Sequence, residues 1–327
     1  MEKPLKNHKK PMLSVVVVAY NMARQAMNTL YSLSTDYQRG VTREEYEVVV
    51  VENQSTNNLH PEEIAKLSGN FRYTLRQESE PTPIHALNQG IELSEGENIC
   101  LMIDGARMLS PRTLRYIIDA LTIEPNALVA VPGYHIGEQD QKLNNVNQHN
   151  EILEQQLLDS IHWKRQGYRL FEISCLSPAN PHSYLHPLME SNCLSCSKQT
   201  ILNYGGANPL FKSPGGGAVN LDLYRGLCSN PKIKLYITPG EGTFHQYHGG
   251  VTTMQRDDLE ALLMSFRAEY ESIKGNPYTA VRKEPILIGA ITSFALPTFK
   301  EAVMRAEKRF ARFATQGQDP WEDGHAC

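Results

Sequence analysis

The chain has 327 residues, 41% hydrophobic and 8% aromatic, with a formal net charge of -4 at pH 7 and a pI near 6.3. Such a length and apolar fraction predict a soluble globular protein with a large core. The small, mixed charge gives no field to attract polyanions, which argues against nucleic-acid binding, and no apolar run approaches the roughly 20 residues that span a bilayer.

The basic start, Lys3 to Lys10, lacks an apolar centre and reads with residues 1–11 as a flexible tail. LSVVVVAYN (13–21) is a continuous β-branched run, the pattern of a parallel strand buried on both faces. MARQAMNTLYSLS follows with helical spacing, placing Met22, Met27, Leu30 and Leu33 on one face. YEVVVVEN (46–53) and FRYTLRQ (71–77) are further strands, IHALNQGIELS is a helix, and NICLMID (98–104) is a fourth strand. SPRTLRYIIDAL then opens a helix, with Ser110 as N-cap and Pro111 at the first helical position.

This rhythm predicts an α/β fold with a doubly wound, mostly parallel sheet, in which ligands bind beyond the carboxyl ends of the strands. Tyr20, Asn21, Glu52, Asn53 and Asp104 end those strands and should converge on one crevice. Neither G-x-G-x-x-G nor G-x-x-x-x-G-K-[ST] occurs, so a dinucleotide fold and a P-loop are disfavoured. A bound nucleotide would need its phosphates neutralised another way, and a divalent cation held by a carboxylate such as Asp104 is the evident route.

Further along, GEQDQKLNNVNQHNE (137–151) is polar and reads as a mobile connection. IHWKRQGYRLFEI (161–173) carries one of two tryptophans beside Lys164, Arg165 and Tyr168, either an aromatic and basic binding patch or an ordinary half-buried Trp. Six cysteines, at 100, 175, 193, 196, 228 and 327, are scattered through apolar runs, as buried thiols in a reducing cytoplasm would be. Cys193 and Cys196 form a lone C-x-x-C; with no second pair or following helix start, two core-facing thiols are preferred over a redox or half-zinc site. Pro214 with Gly215, Gly216 and Gly217 marks a flexible corner, either a plain turn or a loop that closely approaches a ligand. PILIGAITSFALP (285–297), the longest apolar run, reads as a buried helix or an edge leaning on a membrane or partner. DDLEALLMSFRAEYESIKG (257–275) and TFKEAVMRAEKRFARFA (298–314) have the period of amphipathic helices. The second, with Lys and Arg along one side, is expected to pack on the core, with dimerisation or contact with an anionic membrane as alternatives.

In order and spacing these segments resemble the family-2 type of GT-A glycosyltransferases. The residues that carry the likeness are SVVVVAYN (14–21), VVVVENQSTN (48–57), ALNQGIELSEGENICLMIDGA (86–106), YGGANPLF (204–211) and HQYHGG (245–250), within roughly residues 12–255. The resemblance implies a GT-A type doubly wound mixed, mostly parallel sheet flanked by helices, with a C-terminal helical extension. It divides the chain into a nucleotide-sugar-binding half (12–133), an acceptor-binding half of the same domain (134–255), a helical extension (256–317) and a disordered tail (318–327).

The resemblance also implies roles for single residues. Ala19, Tyr20 and Asn21 would line the nucleoside pocket, and Glu52 would read the base, a carboxylate suiting the N–H donors of uracil or guanine. Asn88 would pack beside the ribose and diphosphate, or else be a plain helix-surface amide. Asp104 matches the first acid of the family's D-x-D, followed by Gly105, with Ala106 in place of the second acid. Its Mn²⁺ or Mg²⁺ would take a further ligand from His245, with His248 in reserve. Arg107 would assist the diphosphate, or be a surface arginine or ion-pair partner. The family's acidic pair, which supplies the base, falls on Val219 and Asn220, neither of which can take a proton. That leaves Asp222, Glu190 and Glu241 as candidate bases, with a retaining mechanism or lost activity as alternatives.

The implied activity is a metal-dependent glycosyltransferase moving a hexose-type sugar from a UDP- or GDP-sugar to a hydroxyl of a glycan or glycoconjugate. The alternatives are a catalytically degenerate domain that binds a sugar or a partner, and a sugar-phosphate nucleotidyltransferase. The expected location is the cytoplasm or the inner face of the membrane, with peripheral membrane contact and a homodimer among the associations considered.

Overall fold

The structure is a computed structural model that describes residues 10–77, 80–138, 149–177, 180, 183–185, 188–248, 258–281 and 283–317. Most of the expected N-terminal tail, most of the polar stretch 137–151 and the tail 318–327 lie outside the described residues. In chain order the strands are β1 (Leu13–Ala19), β2 (Tyr46–Asn53), β3 (Phe71–Arg76), β4 (Asn98–Met102), β5 (Arg107–Leu109), β6 (Ala127–Ala130), β7 (Gly133–Ile136), β8 (Ser174–Leu176), β9 (Leu194–Ser197), β10 (Lys234–Ile237), β11 (Thr243–His245) and β12 (Ile286–Leu287). The helices are α1 (Ala23–Ser32), α2 (Pro61–Ile64), α3 (Ile84–Leu93), α4 (Thr113–Ile123), α5 (Glu151–Ser160), α6 (Lys198–Tyr204), α7 (Val219–Cys228), α8 (Leu259–Lys274) and α9 (Leu296–Gln316).

Among the described residues, eight strands form one sheet in the order β12-β10-β6-β9-β4-β1-β2-β3. All its pairings are parallel except those of β9, which runs antiparallel to both β4 and β6. The β-branched runs at its centre are buried along their whole length in β1 and β2. Their side chains alternate between two cores: Val16, Val18, Val49 and Val51 pack with α3, α6 and α7, while Val15, Val17, Val48 and Val50 pack with α1, α2 and α4. Each such valine contributes about 1.5 kcal/mol or more, so helices on both faces are what make so apolar a run stable. The strand order reverses between β1 and β4, which opens a crevice at their carboxyl ends.

A second sheet, β5-β11-β7-β8, caps the end of the first. In it β5 and β11 pair antiparallel, with Arg107 opposite His245 and Leu109 opposite Thr243. That register brings two residues 138 positions apart in the chain to the same rim of the crevice.

Several sequence expectations are corrected here. Ser110 does not cap α4, which starts at Thr113 after Arg112; its hydroxyl instead donates to Glu241. Trp163 is 4% exposed and packs edge-on against Tyr31 and Tyr37 at 5.4 and 5.7 Å. It is therefore a core residue rather than a sugar platform. Cys193 and Cys196 are both core-facing thiols, as expected, but they face opposite cores, because an odd spacing along a strand points side chains to opposite faces; Cys193 lies against Cys100, Sγ to Sγ 3.4 Å.

Of the apolar run 285–297 only Ile286 and Leu287 form a strand, the exposed edge strand β12; the rest is irregular until α9 begins at Leu296, so the run is not a buried helix. Helix α9 sets Ala302 and Arg309 against the body and leaves Leu296, Val303, Met304 and Phe310 exposed. Among the described residues no helix is long and apolar enough to cross a membrane.

Candidate active site

The crevice beyond β1 and β4 holds a cavity of about 540 Å³. Its walls include Ala19 at the end of β1 with Tyr20 and Asn21 after it, Asn53 at the end of β2, Asp104 after β4, Arg107 on β5 and His245 on β11. His248, Glu190, Asn192, Asn220, Pro214, Gly215 and Gly217 also line it.

Asp104 is the centre of the charged part. Its Oδ1 accepts from Ala106 N at 3.0 Å, a two-residue turn that fixes the carboxylate. Gly105 is required inside that turn, since a Cβ there would stand 2.7 Å from the Val18 carbonyl oxygen. Asp104 Oδ2 lies 2.9 Å from His245 Nε2 and 3.3 Å from Arg107 Nε, and Oδ1 lies 3.8 Å from His248 Nε2. The two imidazoles meet Nε2 to Nε2 at 3.0 Å. One ligand atom from each of Asp104, His245 and His248 thus falls within 4.8 Å of the others.

Burial works to raise the Asp104 carboxyl, but His245, His248 and Arg107 outweigh it and hold it well below the usual carboxylate range. Burial also pushes the His245 imidazolium down to about 3, against the opposing pull of Asp104. At neutral pH Asp104 is therefore a carboxylate facing the neutral imidazole of His245, the protonation state in which these two groups bind a metal.

The histidine segment is fastened from behind. Gln246 Nε2 donates to Gln25 O at 2.9 Å, Asn28 Nδ2 donates to Gln246 Oε1 at 2.9 Å, and Gln25 Nε2 donates to Tyr247 O at 2.6 Å. The buried Glu154 carboxylate accepts from Tyr247 N and, at 2.9 Å, from Arg24. Helices α1 and α5 thereby set the position of His248.

The structure divides the sequence candidates. Ala19, Tyr20, Asn21, Asp104, Arg107, Glu190, His245 and His248 line the cavity; Glu52, Asn88, Gly105, Ala106, Asp222 and Glu241 do not. Each of the latter has a different physical fate. Glu52 is fully buried, and its carboxylate accepts from Leu59 N at 3.0 Å and from Tyr73 OH at 2.6 Å. Asn88 clamps the turn after α6, donating to Ala207 O at 2.8 Å and accepting from Ala207 N at 2.9 Å. Ala106 is buried among apolar side chains, so the place of the missing acid is filled by core. Asp222 is buried and pairs with Lys274 at 2.7 Å, not with Arg225, and accepts from Tyr204 OH at 3.0 Å. Arg107 is 7% exposed, a buried ion-pair partner rather than a surface arginine.

Glu241 is 1% exposed and holds the second sheet together. Burial raises its carboxyl, partly offset by Ser110, Tyr168 OH at 2.7 Å and Arg112 N at 3.2 Å. Ser110 Oγ in turn accepts from Gly242 N at 2.9 Å, which locks β5 to β11. Glu241→Ala would strand these buried donors and is expected to destabilise the fold by about 2–4 kcal/mol. A thermal melt checks this: an unchanged Tm would mean the network contributes nothing.

Sequence reasoning missed Asn192 and Phe266 and gave Asn53 no role of its own. Asn53 donates from Nδ2 to Thr82 O at 3.2 Å, while its buried Oδ1 has no hydrogen-bond partner among the described residues. Strand phase was the available signal, since on β2 Asn53 alternates with Glu52 and shares the face of Val49 and Val51.

Residues 14–177, half of the chain, match the family described as Glycosyl transferase family 2. The chain belongs to this family. As a family-2 glycosyltransferase it has the GT-A architecture expected of the sheet described above. No curated protein sequence matches it. Among solved structures it is similar to TarS of S. aureus, with 15% identity over 94% of this chain and a TM-score of 0.48; it spans 46% of the length of that chain. It is also similar to TarS residues 1–349 in complex with UDP-GlcNAc, with 14% identity over 94% of this chain and 76% of that one and a TM-score of 0.48. A third is the mannosyltransferase PcManGT from Pyrobaculum calidifontis in complex with GDP-Man and Mn²⁺, with 16% identity over 95% and 77% of the two chains and a TM-score of 0.46.

Proposed function

We propose that this family-2 protein is a metal-dependent transferase that moves a hexose-type sugar from a UDP- or GDP-sugar to a hydroxyl acceptor on a glycan or glycoconjugate. The observation that carries the proposal is the Asp104–His245–His248 cluster at the carboxyl end of β4, where a donor diphosphate would lie. A single carboxylate with two imidazoles fits Mn²⁺ better than Mg²⁺, whose preference is for oxygen. When bound, the cation would offset the charge of the diphosphate leaving group.

In this reading the residues 12–133 form the donor half and 134–255 the acceptor half, followed by the helical extension 256–317. Arg107 adds a fixed positive charge beside Asp104. Tyr20, 58% exposed at the mouth, and Asn21 frame the nucleoside. Asn53 offers its unpartnered Oδ1 to a nucleobase N–H, in place of the buried Glu52. Glu190 is the remaining base candidate on the cavity wall, and its partners are neutral amides that leave it free to take the proton of an attacking hydroxyl. A second reading, a degenerate binding domain, draws support from the buried Ala106 and from Asn220.

Calorimetry with UDP and GDP tests the metal role: binding should be at least about tenfold tighter with Mn²⁺ than with chelator, and equal affinities would refute it. Mn²⁺-dependent hydrolysis of a nucleotide-sugar panel separates transferase from binding domain, since the latter releases no nucleoside diphosphate.

A further inference from the structure

Asn220 opens α7 on the cavity wall and is 9% exposed. Its Nδ2 donates to Glu190 Oε2 at 2.9 Å, and Asn192 Nδ2 donates to Glu190 Oε1 at 3.2 Å. The other end of the Asn220 amide, Oδ1, is buried and has no hydrogen-bond partner among the described residues. A buried carbonyl oxygen left unpaired beside a cavity calls for a donor from whatever occupies that cavity.

We infer that Asn220 is a positioning residue that joins the base to the substrate. Its Nδ2 aims the Glu190 carboxylate into the cavity, and its Oδ1 accepts a hydroxyl of the sugar that enters. This rests on the reading of Glu190 as base. It also gives a reason for an amide at this position: an aspartate there would set a second carboxylate against Glu190, and two like charges at hydrogen-bond distance force one to keep a proton. An acid at 220 would move the working range of the base at 190 to higher pH; an amide at 220 leaves that range in place. On this account Asn220 marks a relocated base rather than a lost one.

The other charged or titratable groups lining the cavity, Glu80, Asp104, Arg107, His245, His248 and Tyr20, make no hydrogen bond to Glu190. The test therefore varies position 220, with Glu190→Gln beside it to test the base itself. Mn²⁺-dependent hydrolysis of UDP-GlcNAc and GDP-mannose is followed against pH for the full chain, Asn220→Ala, Asn220→Asp and Glu190→Gln, each first shown to fold by its thermal melt.

Asn220→Ala is expected to lower kcat on the order of tenfold to a hundredfold, as misplacement of a base does, and to raise KM. Asn220→Asp keeps the Oδ1 acceptor and the side-chain shape, so KM should hold while the acid limb of the rate moves to higher pH. If both variants keep the wild-type rate and acid limb while Glu190→Gln is inactive, the role of Asn220 is wrong and the base reading stands. If Glu190→Gln hydrolyses the donors as fast as wild type, or wild type hydrolyses neither, the base reading itself falls.

Discussion

Glu190→Gln is expected to slow turnover of an accepted nucleotide sugar by on the order of 10²–10⁴-fold, the usual contribution of a positioned general base. Nucleotide binding should persist, because Glu190 shares no hydrogen bond with the Asp104 cluster. The substitution keeps the shape of the side chain and removes its ability to take a proton, while its amide nitrogen replaces one of the two oxygens that accept from Asn192 and Asn220. Single-turnover release of UDP or GDP, set beside the calorimetric Kd for the same nucleotide, checks both halves of the expectation. A variant that loses binding and turnover together would show instead that Glu190 shapes the pocket.

His245→Ala should act the other way, removing the effect of Mn²⁺ on nucleotide affinity while leaving the weaker metal-free binding. Changes to groups one step behind a metal's ligands typically cost 10–100-fold in metal affinity, so loss of a direct ligand should cost at least about tenfold. Asp104 would keep His248 at 3.8 Å and Arg107 at 3.3 Å, a set with one imidazole fewer and an unchanged fixed positive charge. Titration of Mn²⁺ into the protein with UDP or GDP present measures this directly. Wild-type metal dependence in the variant would show that the cation lies elsewhere.

The candidate site was only partly legible in the sequence, and the pattern of success has a cause. Asp104, His245, Tyr20 and Asn21 lie at or just beyond strand ends, and the position of a strand end is a local property read from the apolar run before it. Glu52 is also at a strand end, yet it points into the second core, in phase with Val48 and Val50, and is engaged by Leu59 and Tyr73. One step of strand phase separates it from Asn53, which lines the cavity. Asp222 and Glu241 had the right residue type in the right segment, but their partners, Lys274, Ser110 and Tyr168, lie 52, 131 and 73 positions away.

By itself the sequence determined the doubly wound sheet, because runs such as VVVV are stable only when covered on both faces. It also determined which loops face the crevice, because the strand order follows from right-handed crossovers. Only the tertiary structure decided which carboxylates are free to act. Desolvation and pairing depend on neighbours brought in from distant segments, and they left Glu52, Asp222 and Glu241 satisfied in the interior while Asp104 and Glu190 faced the cavity.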